Sequence, residues 1–306
     1  MIRSARPTSY TGSACGKVIL LGEHAVVHGC TALAASLGQA VEAVACDSDQ
    51  PISSLSVSAG NSLWRIEPDS DLLHAFAALL RACDVRRPVA VSVSVRIPTR
   101  SGLGSSAAMG AAIARALLSL EGHPNDPEPA ANAWEQVFHG NPSGIDVAVA
   151  VRGGCLAFSR AEGARALPLQ QPIPLCIGQA GRRAPTREMV DRATQLLTDS
   201  PSLGSKILQA VAEAVRVGEK ALVAADWATL GAAMDANQRA LQQWGLCTAA
   251  IDRMCESARK AGAIGAKLTG AGGGGCVIAL APGREDDVLA AWGDEGWDGF
   301  VVRAGA

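Results

Sequence analysis

Five of the six residues from Gly270 to Gly275 are glycines, and the apolar run CVIALA follows them at once. Glycine loses more conformational freedom on folding than any other residue, so such a run is unfavourable unless the backbone requires it. Three structures would require it: a tight turn, a dinucleotide-binding fingerprint, or a backbone loop that closely approaches a phosphate-bearing ligand. Gly270, Gly272 and Gly275 match the G-x-G-x-x-G spacing of the fingerprint.

The order of the flanking elements argues against the dinucleotide fingerprint. That motif requires a strand before the glycines and a helix after them. Here a helical pattern over 249–261 precedes the run and a strand pattern over 276–281 follows it. A Walker-type phosphate loop also fails, because the segment GSACGKV has Val18 where Ser or Thr is required. A tight turn and a loop lying over a ligand bound elsewhere remain.

Composition limits the class of protein. The 306 residues are enough for two modest domains or one large one. A net charge of −2 gives no electrostatic reason to expect a nucleic acid partner. No uncharged apolar run of membrane-spanning length occurs, and the N-terminal segment lacks the apolar core of a secretory signal. Nine singly placed cysteines and five dispersed histidines predict a cytoplasmic protein without a zinc site.

The pattern along the chain predicts two mixed domains. Strand patterns cover 17–22, 39–46, 89–98 and 153–160, and helical patterns cover 71–83, 107–120 and 130–140. Residues 161–174 follow neither pattern, and they mark a domain boundary near residue 170. Several helices and the strands 276–281 and 299–305 follow. Helices grouped with strands, without strict alternation, predict an α+β fold in both domains, 1–170 and 171–306.

The segment PTRSGLGSSAAMG, residues 98–110, is the better candidate for binding phosphate. Gly102 and Gly104 allow the backbone to turn, and Ser105 and Ser106 begin a long helix. The first N–H groups of a helix lack intrahelical acceptors, and the positive end of the helix dipole favours an anion. The Ser106 hydroxyl could also bind Mg²⁺. The alternative is that either serine is an ordinary N-cap.

Charged side chains at the ends of two apolar segments complete a possible site. Lys17 begins an apolar strand, and Glu23 and His24 follow the glycine at its end. Glu135 belongs to a helix, and Asp146 precedes the apolar run VAVAV. A carboxylate beside a buried segment is costly unless it is paired or used, although Asp146 could also be a helix N-cap. A phosphate cradle, a lysine and two carboxylates are the groups that Mg²⁺-dependent phosphoryl transfer needs.

Three segments in this order and spacing resemble the GHMP kinases, named for galacto-, homoserine, mevalonate and phosphomevalonate kinases. These segments are ACGKVILLGEHAVVHG, PTRSGLGSSAA and KLTGAGGGGC. GEHAVVHG and HGNPSGIDVAV are similar to the members that act on mevalonate. The resemblance implies a first domain like the second domain of ribosomal protein S5 and a ferredoxin-like second domain. It also implies ATP- and Mg²⁺-dependent phosphorylation of the mevalonate 5-hydroxyl, a step of isoprenoid biosynthesis.

The resemblance implies a role for each matched residue. Asp146 corresponds to the catalytic aspartate and Lys17 to the lysine near it, while Ser106 and Glu135 correspond to magnesium ligands. The segment that would hold the ATP phosphates consists of Gly102, Leu103, Gly104, Ser105 and Ser106. The residues that would contact mevalonate are Glu23, His24, Thr186, Gly272 and Gly273. The glycine run would then be a flexible loop that closes over the site from the second domain.

The chain departs from the family pattern in two places: Val147 follows Asp146 where Asn is frequent, and Cys15 stands where Pro is usual. Neither change removes a catalytic group. The resemblance is compatible with a homodimer.

Other functions remain as alternatives. A phosphomevalonate kinase should offer more cationic side chains, and Arg182 and Arg183 lie near the substrate segment. A galactokinase usually has Asp at the position of Val26. A non-catalytic nucleotide-binding relative would have lost Asp146, Lys17 or Glu135, and all three are present.

Overall fold

The computed structural model describes residues 9–60, 62–99, 101–123, 125–181 and 184–306. Arg182 and Arg183, which bear on the phosphomevalonate alternative, lie outside the described residues. All nine cysteines are free thiols. Within the described ranges, no helix combines the length and the apolar character needed to cross a membrane.

Strands and helices are mixed along the whole chain. The strands are β1 (Tyr10–Leu21), β2 (Ala32–Asp47), β3 (Ser54–Ala59), β4 (Ser62–Leu63), β5 (Val89–Val95), β6 (Cys155–Ser159), β7 (Gly163–Leu167), β8 (Ile173–Gln179), β9 (Gly265–Thr269), β10 (Cys276–Leu280) and β11 (Gly299–Ala304). The helices are α1 (Asp71–Ala82), α2 (Ser105–Glu121), α3 (Glu128–His139), α4 (Ile145–Arg152), α5 (Thr186–Asp199), α6 (Pro201–Ala224), α7 (Trp227–Gln243), α8 (Ala249–Lys260) and α9 (Glu285–Asp294). A 3₁₀ turn covers Ala25–His28.

The first of two compact units comprises the described residues up to Gly16, together with Gln39–Thr99 and Gly104–Arg152. The C-terminal half of β2 pairs antiparallel with β5, and β3 pairs parallel with β5. Strand β5 alternates buried valines with exposed residues, as a half-buried strand should. Helix α2 is rich in alanine and buried on nearly all sides, which places it at the centre of this unit's core.

The second unit comprises the described residues of Lys17–Gly38, Ser101–Leu103 and Gly153–Ala306. In it the N-terminal half of β2 pairs with β6, and β6 pairs with β7. A separate four-stranded antiparallel sheet has the order β11-β8-β10-β9. Its strands β8 and β10 are almost wholly buried. Strands β9 and β10 form a hairpin with Thr269 opposite Cys276, so the loop that joins them is Gly270–Gly275.

The predicted α+β class is confirmed, and two local expectations need correction. Strand β9 lies between α8 and the glycine run. The sequence pattern predicted instead that a helix comes directly before the glycines. The strand is only five residues long and contains a lysine, so it has no alternation of apolar residues long enough to indicate a strand. The dinucleotide fingerprint still fails, because a strand and not a helix follows the glycines. Residues 161–174, taken as irregular, contain β7 and the start of β8.

Asp146 and the apolar run after it form helix α4. The compact units do not follow one cut in the chain, since residues 17–38 group with the C-terminal half. The domain boundary near residue 170 stays a prediction.

Candidate active site

The predicted site residues fall into two groups, one in each unit. The first unit holds Gly104, Ser105, Ser106, Glu135 and Asp146; the second holds Lys17, Glu23, His24, Gly102, Leu103, Thr186, Gly272 and Gly273.

In the first unit, the start of helix α2 has the features expected of an anion-binding turn. Gly104 occupies the N-cap with φ +78°, and Gly102, two positions earlier in the chain and grouped with the second unit, has φ +89°. Both values lie in the left-handed region that favours glycine. Because Gly104 is the N-cap, the alternative of an N-cap at Ser105 or Ser106 is wrong. Glycine has no side chain to cap the first helical amides, so they remain suited to an anionic ligand.

Ser106 and Glu135 are brought together by the packing of α3 on α2. The Ser106 hydroxyl donates a hydrogen bond to Glu135 Oε1 and accepts a longer one from Trp134 Nε1, at 3.4 Å. Glu135 is 3% exposed, and its Oε2 lies 3.5 Å from His139 Nε2, one helical turn away. A hydroxyl and a buried carboxylate side by side form an oxygen pair of the kind that Mg²⁺ prefers.

Gly110 and Trp134 support this pair, and the sequence analysis missed both. A Cβ atom at Gly110 would lie 2.7 Å from Trp134 Cδ1, so the glycine makes room for the indole ring. Trp134 is fully buried and holds the Ser106 oxygen from the far side. A glycine inside an alanine-rich helix destabilises it by roughly 1 kcal/mol. That cost is the signal that could have indicated a close packing contact.

Asp146 is the second residue of α4 and half-buried. It therefore lies within the first turn of the helix, and the alternative of an N-cap at this position is wrong. A carboxylate in the first turn interacts favourably with the helix dipole. Helix α4 packs on α2, the helix that carries Ser106.

In the second unit, Lys17 is fastened to the segment that begins the phosphate loop. Its Nζ donates to the Gly102 carbonyl at 3.0 Å, and its backbone N–H donates to the Leu103 carbonyl at 2.9 Å. Lys17 is only 3% exposed. The ammonium group is therefore held beside the backbone that the sequence assigns to ATP phosphates.

Glu23 and His24 follow the end of β1 and contact different partners. His24 has φ +59°, which is unusual for a residue other than glycine, and its Nε2 lies 2.8 Å from the Ala271 carbonyl. Its ring lies against Trp244, with centroids 5.9 Å apart. Glu23 is fully buried and forms an ion pair with Lys267, whose side chain is also fully buried. Burial raises the pKa of the Glu23 carboxyl and lowers the pKa of Lys267, and each charge opposes the shift of the other.

Backbone hydrogen bonds join the glycine run to neighbouring segments of the second unit. All five glycines have positive φ, from +66° at Gly273 to +110° at Gly274. The Gly273 N–H donates to the Leu246 carbonyl at 2.9 Å, and the Gly273 carbonyl accepts from the Ala184 N–H at 3.0 Å. Each of the five glycines thus has a backbone conformation that favours glycine, and Gly273 is bonded to two segments that are remote in sequence. The flexibility of the loop stays a prediction.

Thr186 begins helix α5 and is half-buried. The segment before it is attached to the glycine loop through the Ala184–Gly273 hydrogen bond. The structure therefore connects Thr186, Gly273 and, through Ala271, His24 within one unit.

We expect Gly273→Ala to lower the melting temperature markedly. The new Cβ would lie 2.6 Å from Met189 Sδ and 2.9 Å from Ala184 Cβ, in addition to the positive φ. Overpacking of this kind costs about 1–3 kcal/mol. Gly283→Ala is the matched control, since Gly283 has φ +74° but no atom near the added Cβ, so it incurs only the backbone cost of about 1–2 kcal/mol. Equal melting temperatures for the two variants would show that the loop shifts to accommodate the added Cβ atom without further loss of stability.

Comparison with known proteins identifies the family. Residues 71–154 match the GHMP kinases N-terminal domain, and residues 219–298 match the GHMP kinases C-terminal domain. The chain belongs to the GHMP kinase family. It is an ATP-dependent kinase of small molecules, and its first matched region contains Ser106, Glu135 and Asp146. The expected two-domain GHMP kinase fold is thereby confirmed.

Individual relatives are similar over most of their length. The chain is 34% identical to the mevalonate kinase of Pyrococcus abyssi, covering 97% of this chain and 96% of that one. It is 34% identical to the mevalonate kinase of Aeropyrum pernix, over 92% of this chain and 89% of that one. Its structure resembles the crystal structure of L. major mevalonate kinase in complex with R-mevalonate, with TM-score 0.85, 25% identity and coverage of 99% and 97%.

Proposed function

We propose that this GHMP kinase is a mevalonate kinase, which transfers the γ-phosphoryl group of ATP to the 5-hydroxyl of mevalonate. The observation that carries the proposal is 34% identity to mevalonate kinases over nearly the whole chain. Solved galactokinase and phosphomevalonate kinase structures are only 18% identical, and that likeness concerns the fold alone. The product, phosphomevalonate, would enter isoprenoid biosynthesis.

The phosphate groups of ATP would bind at Gly102–Ser106. Backbone amides at the start of α2 and the positive end of its dipole favour them, and the positive φ values of Gly102 and Gly104 keep side chains away. Lys17, held against the Gly102 carbonyl, would contribute a positive charge to the transferring phosphoryl group.

The Ser106–Glu135 pair fits a magnesium ion. Both oxygens are side by side, and the buried carboxylate gains a counter-charge from a cation. Mg²⁺ is commonly bound by one or two protein oxygens plus substrate phosphates, so the site needs no larger cluster. No group of three or more ionisable ligands occurs in the described part of the chain, which is consistent with that mode. When bound, the ion would neutralise charge that develops on the phosphate oxygens.

Asp146 would accept the proton of the attacking hydroxyl. In the reaction the substrate oxygen forms a bond to the γ-phosphorus, the bond from that phosphorus to the leaving oxygen of ADP breaks, and the hydroxyl proton passes to a carboxylate. His24 and Thr186 would position mevalonate, and the loop that contains Gly272 and Gly273 would cover it. Glu23 would act in the same region, although its carboxylate is paired with Lys267.

We also infer a cytoplasmic location for the enzyme. Its nine free thiols persist most readily in a reducing compartment, which supports this inference.

An ADP-release assay with mevalonate, phosphomevalonate, homoserine and galactose tests the proposed function. We expect kcat/KM to be highest for mevalonate by about 10²-fold or more, because a site built for one set of polar groups rejects analogues that leave them unpaired. Omission of Mg²⁺ should abolish turnover. A higher kcat/KM for phosphomevalonate or galactose would overturn the assignment of the substrate while leaving the kinase class intact.

A further inference from the structure

The fully buried ion pair between Glu23 and Lys267 has no part in the proposed chemistry. Glu23 Oε1 accepts a hydrogen bond from Lys267 Nζ, which also donates to the Leu268 carbonyl at 2.6 Å. Glu23 Oε2 accepts from Asn237 Nδ2 at 3.4 Å, and Asn237 Oδ1 accepts from the Gly22 N–H at 3.0 Å. Both carboxylate oxygens therefore have protein partners, and neither charged group reaches solvent.

The pair joins the two segments that the proposed reaction uses around mevalonate. Glu23 immediately precedes His24 at the end of β1, and Lys267 lies in β9, which leads into the glycine loop. A second connection joins the same segments, because His24 Nε2 lies 2.8 Å from the carbonyl of Ala271 in that loop. The two segments are thus connected twice: by the buried ion pair between Glu23 and Lys267, and by the contact of His24 with the loop carbonyl of Ala271.

His24 needs such support, because its backbone has φ +59°. A residue with a side chain persists in this region only where the surrounding structure over-determines its conformation. Glu23, its neighbour in the chain, is anchored on both carboxylate oxygens. Anchoring of Glu23 therefore restrains the position and the backbone conformation of His24.

A contribution to stability is a weak explanation for the presence of the buried Glu23–Lys267 ion pair. Two charges lose their hydration on burial, and replacing such a pair with well-packed hydrophobic side chains of similar volume is often neutral or stabilising. Strand β9 also has other supports on the same edge. The Leu268 N–H donates to Gln238 Oε1, the Ala266 N–H donates to Asp235 Oδ1, and Arg259 donates to the Ala266 carbonyl.

We propose that Glu23 and Lys267 are positioning residues: their pair fixes His24 relative to the Gly270–Gly275 loop and thereby sets the affinity for the acceptor substrate. The two carboxylate oxygens of Glu23 accept hydrogen bonds from Lys267 and Asn237, so in this proposal Glu23 acts through His24 and not by the direct contact with mevalonate that the resemblance implied. The inference rests on the proposed function, which supplies the substrate, mevalonate, and the roles of His24 and the glycine loop around it.

Three variants separate positioning from stability: Glu23→Gln, Lys267→Met, and the double variant with both changes. Each single variant leaves one buried charge without its partner, so we expect both to melt at lower temperature than wild type. The double variant has no unpaired buried charge and should recover much of the loss. Its KM for mevalonate should nevertheless stay raised by about tenfold or more, since small misplacements of a substrate-positioning group have effects of up to 10²-fold. KM for ATP should remain at the wild-type value.

Asp235→Asn combined with Arg259→Met is the matched control. This pair also bonds strand β9, at Ala266, but it does not reach the Glu23–His24 segment. The control should change the melting temperature without changing KM for mevalonate. Recovery of both the melting temperature and KM in the Glu23→Gln/Lys267→Met double variant would overturn the proposal, as would an equal rise of KM in the control.

Wild-type turnover with mevalonate is measured first. Its absence would refute the proposed substrate, whereas an unchanged KM in an active, folded double variant would refute only the positioning role. The acceptor that the wild type does use would then replace mevalonate in the same KM comparison.

Discussion

Replacing Asp146 by asparagine is expected to lower kcat with mevalonate by about 10²–10⁴-fold, the factor that general-base assistance typically contributes. Asparagine keeps the size of the side chain but cannot accept the hydroxyl proton. Phosphoryl transfer depends largely on positioning and electrostatics, so some turnover should remain. The proposed phosphate segment Gly102–Ser106 is unchanged, and ATP should still bind. Steady-state kinetics give kcat, and calorimetric titration gives the dissociation constant for ATP.

Asp71→Asn is the control for the structural part of this change. Asp71 is the first residue of α1 and exposed, while Asp146 is the second residue of α4, so both carboxylates lie in a first helical turn. Loss of either charge should cost about 0.3–1 kcal/mol through the helix dipole. Only the Asp146 variant should lose turnover. If it kept wild-type kcat, Asp146 would be a helix-stabilising carboxylate and the catalytic assignment would fail.

The start of α2 could be predicted from sequence because its determinants are local. Two glycines, two serines and a long alanine-rich run fix a turn followed by a buried helix, and the structure has that helix over Ser105–Glu121. The pairing of Ser106 with Glu135 is different in kind. It depends on how α3 packs on α2, and the sequence indicated it only through the family resemblance.

The partner of Glu23 could not be predicted, because it is 244 positions away in the chain. Lysine is almost never fully buried unless it is paired, and nothing local marks Lys267 as paired. The charge also interrupts the apolar pattern of β9, which is why that strand escaped detection. The presence of Lys267 in the strand therefore explains why neither strand β9 nor the ion pair with Glu23 was predicted.

The backbone conformation of the glycine run could be predicted from the sequence, but the residues that contact the run could not. The glycines indicated a backbone that other residues cannot adopt, and all five have positive φ. Because glycine can adopt many backbone conformations, the run also suggested a flexible loop. The hydrogen-bond partners of Gly273 could not be predicted, because they come from the segments at Leu246 and Ala184, which are remote in sequence.

Replacing Glu135 by glutamine should lower kcat/KM for Mg²⁺-ATP by about 10²–10³-fold, the usual effect of removing one group that stabilises a developing charge. Glutamine has nearly the same shape and can still accept a hydrogen bond from Ser106, so the fold should survive. The amide supplies a neutral oxygen where the carboxylate supplied a charged one. Higher Mg²⁺ concentrations should therefore restore part of the lost activity, measured as a titration of turnover against free Mg²⁺.

Binding can be followed without catalysis, since a ligand that binds only the folded state raises the melting temperature. Wild type should melt higher with Mg²⁺ and ATP than with ATP and a chelator, and this difference should shrink in Glu135→Gln. Glu128→Gln is the matched control: Glu128 lies on the same helix and pairs with Arg152 at 3.0 Å, so its loss changes stability without affecting the Mg²⁺ response. A Glu135→Gln variant with a wild-type Mg²⁺ response would remove Glu135 from the metal site. The buried carboxylate would then serve only to orient the Ser106 hydroxyl at the start of α2.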